Sequence, residues 1–222
     1  MTASANLGYM FESWSGDLVG GTNPQSITMD GPKTVTANFT VTYDLTVSSA
    51  YGSPSPAVGV HTYPEGTLVN ASVDSEVAGA TGEKFVCIGW SGTGSVPASD
   101  GTNATSFTMT ADSSITWDWK TQYELTTDVS PAATGSVTRN PDAVWYDAGT
   151  IVQLTANPSD GYEFNSWSGD LTGVSNPGSV TMDAPKSVIA NFSPVFDLTV
   201  SSAYGSPTPA VGVHTYSDGT NI

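Results

Sequence analysis

The sequence predicts an all-β, mainly β-strand protein made of tandem small β domains of about 75 residues, arranged as an elongated array. Thr, Ser, Gly and Val dominate the composition, whereas Leu, Lys and Glu, which favour helices, are scarce. Short segments in which apolar and polar residues alternate are separated by turn residues. The same succession of segments then returns along the chain, which indicates a repeat architecture.

The clearest repetition is a segment that recurs 153 residues later, since residues 1–69 and 154–222 are identical at 45 of 69 aligned positions. A weaker repeat lies inside this period, because "YELTTDVSPAATGSV" begins at Tyr123 as "YDLTVSSAYGSPSP" begins at Tyr43. Four segments are therefore predicted. They are the C-terminal half of a repeat (1–43), a complete diverged repeat (44–122), a complete repeat (123–195) and the N-terminal half of a repeat (196–222).

Six strands are predicted in the second complete repeat, each rich in β-branched or aromatic residues and bounded by turn residues. In chain order they are Glu124–Val129, Gly135–Arg139, Thr150–Ala156, Tyr162–Trp167, Ser179–Met182 and Ser187–Phe192. The last strand alternates most clearly, with Val188, Ala190 and Phe192 on one face. Before it, "MDAPKS" places Pro185 in a tight turn that its fixed φ favours.

A repeat of this size buries only a modest core. The predicted core residues are Leu125, Val137, Leu154, Tyr162, Phe164, Met182, Val188 and Phe192. The single cysteine, Cys87, takes the place of Phe164 in the diverged repeat, so it is interpreted as a packed core thiol.

Charge restricts the partners that this chain can bind. Its 21 acidic and 5 basic residues give a formal net charge of -16. Because binding to phosphate backbones depends on Lys and Arg, we expect no nucleic acid partner. No apolar run approaches the roughly 18 residues of a membrane span, so we expect no membrane insertion either.

The segment "GYEFNSWSGDLTGVSNPGSVTMDAPKSVIANF" (161–192) resembles the divergent B-repeat of internalin-type bacterial surface proteins, a relative of the Listeria–Bacteroides repeat. Residues 149–192 match its pattern almost throughout, and residues 1–39 match from the middle of its first strand. The diverged repeat departs from it, with "EKFVCIGW" where the pattern has "GYxFxxW". The resemblance implies an extracellular, β-grasp-like tandem domain that serves as a stalk or spacer in adhesin-like surface proteins. It brings no catalytic residues.

We expect no enzymatic activity and no obligatory cofactor. His61 and His214 occupy the same place in the repeated "VGVHTY" segment, and no neighbouring residue is suggested that would orient either as a general base. Serine and aspartate are abundant, but abundance alone does not make a catalytic triad.

An alternative function is a Ca²⁺- or glycan-binding surface module that uses the "WSGDLTG" loops. Turn aspartates could supply oxygen ligands to Ca²⁺, although the same residues commonly cap turns. The candidates are Asp17, Asp30, Asp170 and Asp183. Strict alternation would turn the repeated tryptophans outward, where they could stack on sugars, unless the following loop folds back over them. These tryptophans are Trp14, Trp90 and Trp167.

The two terminal segments, joined as 196–222 followed by 1–43, spell nearly one whole repeat. Three interpretations stay open. The chain is a segment of a longer tandem array, or a filament subunit joined head-to-tail by β-strand complementation, or a chain whose two ends meet. Its partner is then a neighbouring repeat or a second copy of itself. The residues predicted at the joint are Met1, Thr2, Ala3, Tyr9, Phe11, Thr220, Asn221 and Ile222.

Overall fold

Strands make up all of the regular secondary structure in the computed structural model, which describes all 222 residues. There is no helix, and 56% of the residues lie in strands, so the predicted all-β class is confirmed. No helix that could cross a membrane is therefore present. The fifteen strands are β1 (Tyr9–Gly16), β2 (Val35–Ser49), β3 (Gly59–Pro64), β4 (Leu68–Ser72), β5 (Glu76–Ala78), β6 (Glu83–Thr93), β7 (Ala104–Thr108), β8 (Ser113–Ser130), β9 (Gly135–Asn140), β10 (Trp145–Asp147), β11 (Ile151–Pro158), β12 (Tyr162–Gly169), β13 (Gly178–Thr181), β14 (Lys186–Val200) and β15 (Gly212–Ser217).

The chain divides into two compact units. Unit 1 comprises residues 1–77 and 85–120, and unit 2 comprises residues 78–84 and 121–222. The predicted division into half and complete repeats is finer than this one and stays a prediction.

Unit 2 contains a sheet in which β10, β8, β14 and β12 follow one another. Its two central strands, β8 and β14, are parallel, with Leu125 opposite Lys186. They are the first and last strands of the predicted complete repeat. A second sheet has the order β13–β11–β9. The expected β-grasp-like arrangement is matched in one respect, the parallel pairing of the first and last strands. No helix packs on the sheets.

The core of unit 2 agrees largely with the prediction. Five of the predicted residues are buried: Leu125, Leu154, Met182, Val188 and Phe192. The other three, Val137, Tyr162 and Phe164, are partly buried and pack against this cluster. The cluster also contains Tyr146 and Trp167, which the sequence prediction did not include.

Unit 1 repeats this arrangement. Here β2 and β8 are the parallel pair, with Leu45 opposite Ser113, and β3 and β6 flank them. A two-stranded sheet of β4 and β7 completes the set. Cys87 packs partly buried against the core, as predicted for a core thiol. Strand β1 pairs in antiparallel fashion with the first half of β2.

Of the two alternatives for the repeated tryptophans, the structure has the covered ring and not the outward-facing one, because the strand does not alternate strictly. A β-bulge between Phe164 and Ser166 shifts the register of β12 against β14. The extra residue brings Trp167 onto the same face as Phe164, and their ring centroids lie 5.0 Å apart. The same bulge occurs in β1 between Phe11 and Ser13.

Candidate functional site

The loop after Trp167 folds back over the indole ring and covers it. Trp167 is buried, and its indole N–H donates a hydrogen bond to the carbonyl of Ser175 at 2.9 Å. Its main-chain N–H donates to the carbonyl of Gly173 at 2.8 Å. Both bonds hold the loop against the end of β12, so this tryptophan belongs to the core.

The other two glycan candidates have the same environment. Trp14 and Trp90 are buried, and their indole N–H groups donate to the carbonyls of Thr22 at 3.0 Å and Pro97 at 2.9 Å. A sugar would need an open aromatic face to stack on. None of the three rings offers one, so the glycan-binding assignment is corrected to a structural role. The loop accounts for the burial, as the alternative interpretation expected.

Asp170 ties the "SGD" turn to the start of β14. Its carboxylate accepts a hydrogen bond from the main-chain N–H of Ser187 at 2.6 Å, and its own N–H donates to the Ser187 carbonyl at 2.9 Å. Asp17 makes the same two bonds with Thr34, at 2.6 and 2.8 Å. These two Ca²⁺ candidates therefore serve as turn caps.

The other two Ca²⁺ candidates form ion pairs across the turn that precedes the last strand. Asp183 lies 2.6 Å from the ammonium of Lys186, and Asp30 lies 2.8 Å from that of Lys33. The hydrogen bond that Lys186 donates and its charge lower the pKa of Asp183, and the same hydrogen bond to Asp183 raises the pKa of Lys186. The structure contains no group of three or more His, Cys, Asp or Glu side chains suited to a metal ion.

In the loop that covers the tryptophan, an asparagine side chain bonds the main chain of a nearby residue, as a paired strand would. The sequence analysis missed this role. The Asn176 side chain accepts a hydrogen bond from the N–H of Ala156 at 2.9 Å and donates one to its carbonyl at 2.8 Å. Asn23 bonds Ala3 in the same way, at 3.0 and 2.7 Å. We call each pair an asparagine clip. The repeated "NP" dipeptide was the available signal.

The diverged repeat keeps a version of this clip although it lacks "NP". Asn103 donates from its side chain to the Val73 carbonyl at 2.6 Å, and its main-chain carbonyl accepts from the Val73 N–H at 3.0 Å. The asparagine therefore still bonds both main-chain groups of the strand residue, but its main-chain carbonyl replaces its side-chain oxygen as the acceptor.

The two histidines make equivalent local contacts. The Nε2 atom of His61 lies 2.6 Å from the carbonyl oxygen of Ala57, and that of His214 lies 2.7 Å from the carbonyl oxygen of Ala210. Both side chains lie beside a loop that precedes their own strand.

The N-terminal half-repeat leaves open a face that is closed in the complete repeat. Met29 is 70% exposed, whereas its equivalent Met182 is fully buried. Phe39 is 38% exposed, whereas Phe192 is 4% exposed. In unit 2 these equivalents belong to the core cluster that also contains Leu125 of the first strand, β8, and residues 1–43 have no such strand.

The C-terminal half-repeat has the complementary feature. Leu198 on β14 is 37% exposed, whereas its equivalents Leu45 and Leu125 are at most 1% exposed. Strand β15 pairs with this part of β14 in antiparallel fashion, as β3 pairs with β2. What is lacking is a parallel last strand on the other edge.

The predicted joint residues divide between the two units. In unit 1, Met1 and Tyr9 are exposed, Phe11 is half-buried, and Ala3 is held by its asparagine clip. Thr2 lies between Met1 and Ala3 and is exposed. In unit 2, residues 220–222 are exposed and lie after β15. The assignment of these residues to a joint stays a prediction, because Ala3 and Met1 already make hydrogen bonds within unit 1, to Asn23 and Gln25.

A comparison with protein-family models decides the family. The model described as the divergent InlB B-repeat domain matches residues 1–42 and 125–196, just over half of the chain. The chain belongs to the divergent InlB B-repeat family. A search of curated proteins and a search of solved structures gave no significant match.

The B-repeat match covers the predicted N-terminal half-repeat and the second complete repeat, and it leaves out residues 43–124. That gap coincides with the diverged repeat, which nevertheless keeps the parallel pair, the buried tryptophan and the asparagine clip. B-repeat domains are typically found in surface-associated bacterial proteins. The motif residues described above, the tryptophan and the loop asparagine, make structural contacts. The tryptophan lies in the core, and the asparagine holds the loop that covers the tryptophan.

Proposed function

We propose that this chain is a non-enzymatic, extracellular structural segment that acts as a stalk or spacer in an adhesin-like surface protein. The observation that supports this function is the way in which one repeat continues into the next. Strands β2 and β14 each cross a predicted repeat boundary, at residues 43/44 and 195/196, without interruption.

Backbone pairing is also continuous across these boundaries. Along β14, Pro194 is the last residue opposite β12, and Val195 is the first opposite β15. Along β2, Val41 is the last residue opposite β1, and Thr42 is the first opposite β3. No unpaired residue lies between the two repeats that could act as a flexible linker. Such a junction suits a spacer, because a spacer needs successive repeats to be joined firmly.

Limited proteolysis with chymotrypsin tests this junction directly. Tyr43 lies within the β2 junction, whereas Tyr204 is almost fully exposed in the loop between β14 and β15. We expect cleavage after Tyr204 well before cleavage after Tyr43, read by mass spectrometry of the fragments. Equal early cleavage at both tyrosines would show a flexible junction and would contradict the spacer function.

A second candidate function is head-to-tail self-association, which the two open half-repeat faces favour. The exposed Leu198 strand of one copy would supply the first strand that the Met29 and Phe39 face of another copy lacks. Unpaired strand edges and exposed apolar faces are typical sites for such strand addition. The expected occupant is therefore residues 196–222 of a second copy.

The two complete repeats predict the register of this joint. Leu45 lies opposite Ser113, and Leu125 lies opposite Lys186, at equivalent positions. Transferred to the half-repeats, the register places Leu198 of one copy opposite Lys33 of the next. Two residues further along, Val200 would lie opposite Val35.

Cysteine cross-linking tests the register. In a Cys87→Ala background, Val200→Cys and Val35→Cys together should give a reducible ladder of oligomers on gels. Opposed residues on neighbouring strands lie within disulfide range. The matched control pairs Val200→Cys with Thr36→Cys, whose side chain points to the other face, and should give much less. A single monomeric cross-linked band, or no cross-link, would contradict association between copies.

A further inference from the structure

We infer that the parallel strand pairs β8–β14 and β2–β8 are shear clamps that resist tension along the chain. This inference rests on the proposed stalk function, because a stalk is loaded through its two ends. It adds a specific mechanical element to that function, and the element is the pairing of the first and last strands of each complete repeat.

The direction of the two strands decides how the load acts. In unit 2, β8 enters the repeat and pairs through residues 125–130, and β14 leaves it and pairs through residues 186–191. Tension pulls β8 from its N-terminal side and β14 from its C-terminal side. Because the strands are parallel, these forces point in opposite directions along the strand axes. All six residue pairs are therefore loaded together.

An antiparallel terminal pair would respond differently. The entering and leaving ends would then lie at the same edge of the sheet, and the hydrogen bonds would open one after another. The pair of β14 and β15 has this geometry, with Val195 opposite Ser217 and Val200 opposite Gly212. We therefore expect the segment 196–222 to open at lower force than the complete repeat.

The clamp strands are also protected from water. In unit 2 they are the two central strands of the order β10–β8–β14–β12. Strand β14 is paired on both edges from Val188 to Asn191, whereas β10 pairs with β8 just before the clamp, at residues 122–124. The side chains of Leu125 on β8 and Val188 on β14 are buried in the core. Unit 1 has the same parallel pair, in which the side chains of Leu45 on β2 and Ile115 on β8 are buried. The buried core therefore keeps water away from the inner side of these backbone hydrogen bonds.

A single-molecule experiment can change the loading direction without changing the fold. In the full-length Cys87→Ala chain, handles attached at Thr121→Cys and Thr199→Cys load β8 and β14 in shear. Handles at Thr121→Cys and Ala184→Cys load the same two strands from adjacent ends, so that they peel. Both variants keep every clamp residue, and each unfolding event should release on the order of 200 Å.

We expect the unfolding force in the shear geometry to exceed that in the peeling geometry several-fold at equal loading rate. Equal forces in the two geometries would overturn the clamp. Matched thermal melting of the two variants shows that both are folded. Chymotrypsin protection at Tyr43, measured separately, reports on the stalk function, so a failed clamp with a protected junction is distinguishable from a failed stalk.

Discussion

Removing one asparagine side chain should destabilise unit 2 far more than its place in a loop suggests. Asn176→Ala deletes the two hydrogen bonds of the clip, at 2.9 and 2.8 Å. Ala156 is only 3% exposed, so water cannot easily replace either bond to its N–H and carbonyl. An unsatisfied buried polar group costs about 1–3 kcal/mol, and the substitution leaves two, so the free energy of unfolding should fall by about 2–6 kcal/mol.

Thermal and exchange measurements together check this prediction. A loss of about 1 kcal/mol lowers the melting temperature of a domain of 60–100 residues by roughly 4–8 °C, so a loss of at least about 2 kcal/mol should lower that of unit 2, which is close to this size, by roughly 8 °C or more. Hydrogen exchange read by mass spectrometry should show faster exchange in β11, where Ala156 lies. Peptides of unit 1 should keep their protection.

The matched control is Asn165→Ala, which makes the same chemical change on β12. Asn165 is exposed and donates one hydrogen bond, to the Ser193 hydroxyl at 3.1 Å. Surface substitutions of this kind usually change stability by no more than about 0.5 kcal/mol. If the Asn176 and Asn165 variants lost the same stability, the clip would not support the loop and the reasoning would be refuted.

Two further predictions concern the turn glycine and the turn ion pair. Gly169 has a φ of +90°, and a Cβ there would overlap the Ser187 carbonyl oxygen, whereas a Cβ at Gly161 would meet no atom. Gly169→Ala should therefore lower the free energy of unfolding, measured by urea denaturation, more than Gly161→Ala does. The ion pair with Lys186 lowers the pKa of Asp183, so its contribution to stability is present above the unfolded carboxyl pKa of about 3.9 and is lost as pH falls through the lower folded value. In acid titrations of melting temperature, Lys186→Met should remove this part of the pH dependence, and an unchanged profile would contradict the assignment.

Local sequence patterns predicted most of the strands, because turn residues and alternation are local properties. The predicted strand Ser187–Phe192 lies within β14, and its apolar face of Val188, Ala190 and Phe192 is buried as expected. The short strand β10 was missed. Its three residues, Trp145–Asp147, are too few to show a period.

The bulge and the clip depend on contacts that a strictly alternating pattern does not describe. Phe164 and Trp167 are three residues apart, and this odd spacing was the signal that they would share a face only across a bulge. Asn176 looked like an ordinary turn residue, since its two partners lie on a strand twenty residues earlier. The parallel pairing of β8 with β14 is a long-range choice that residue propensities do not determine.

The energetics of the open faces favour repeats joined in one chain over repeats joined between chains. Burying Met29, Phe39 and Leu198 at a joint would contribute on the order of 4 kcal/mol, because each is already partly covered. Association between separate molecules costs an estimated 4–15 kcal/mol in lost freedom of motion, so these three side chains alone would not hold two copies together. The parallel backbone ladder must supply the remainder, and association of free copies should then depend steeply on concentration. A strand that continues directly from one repeat into the next avoids this cost, which is the arrangement that β2 and β14 already have.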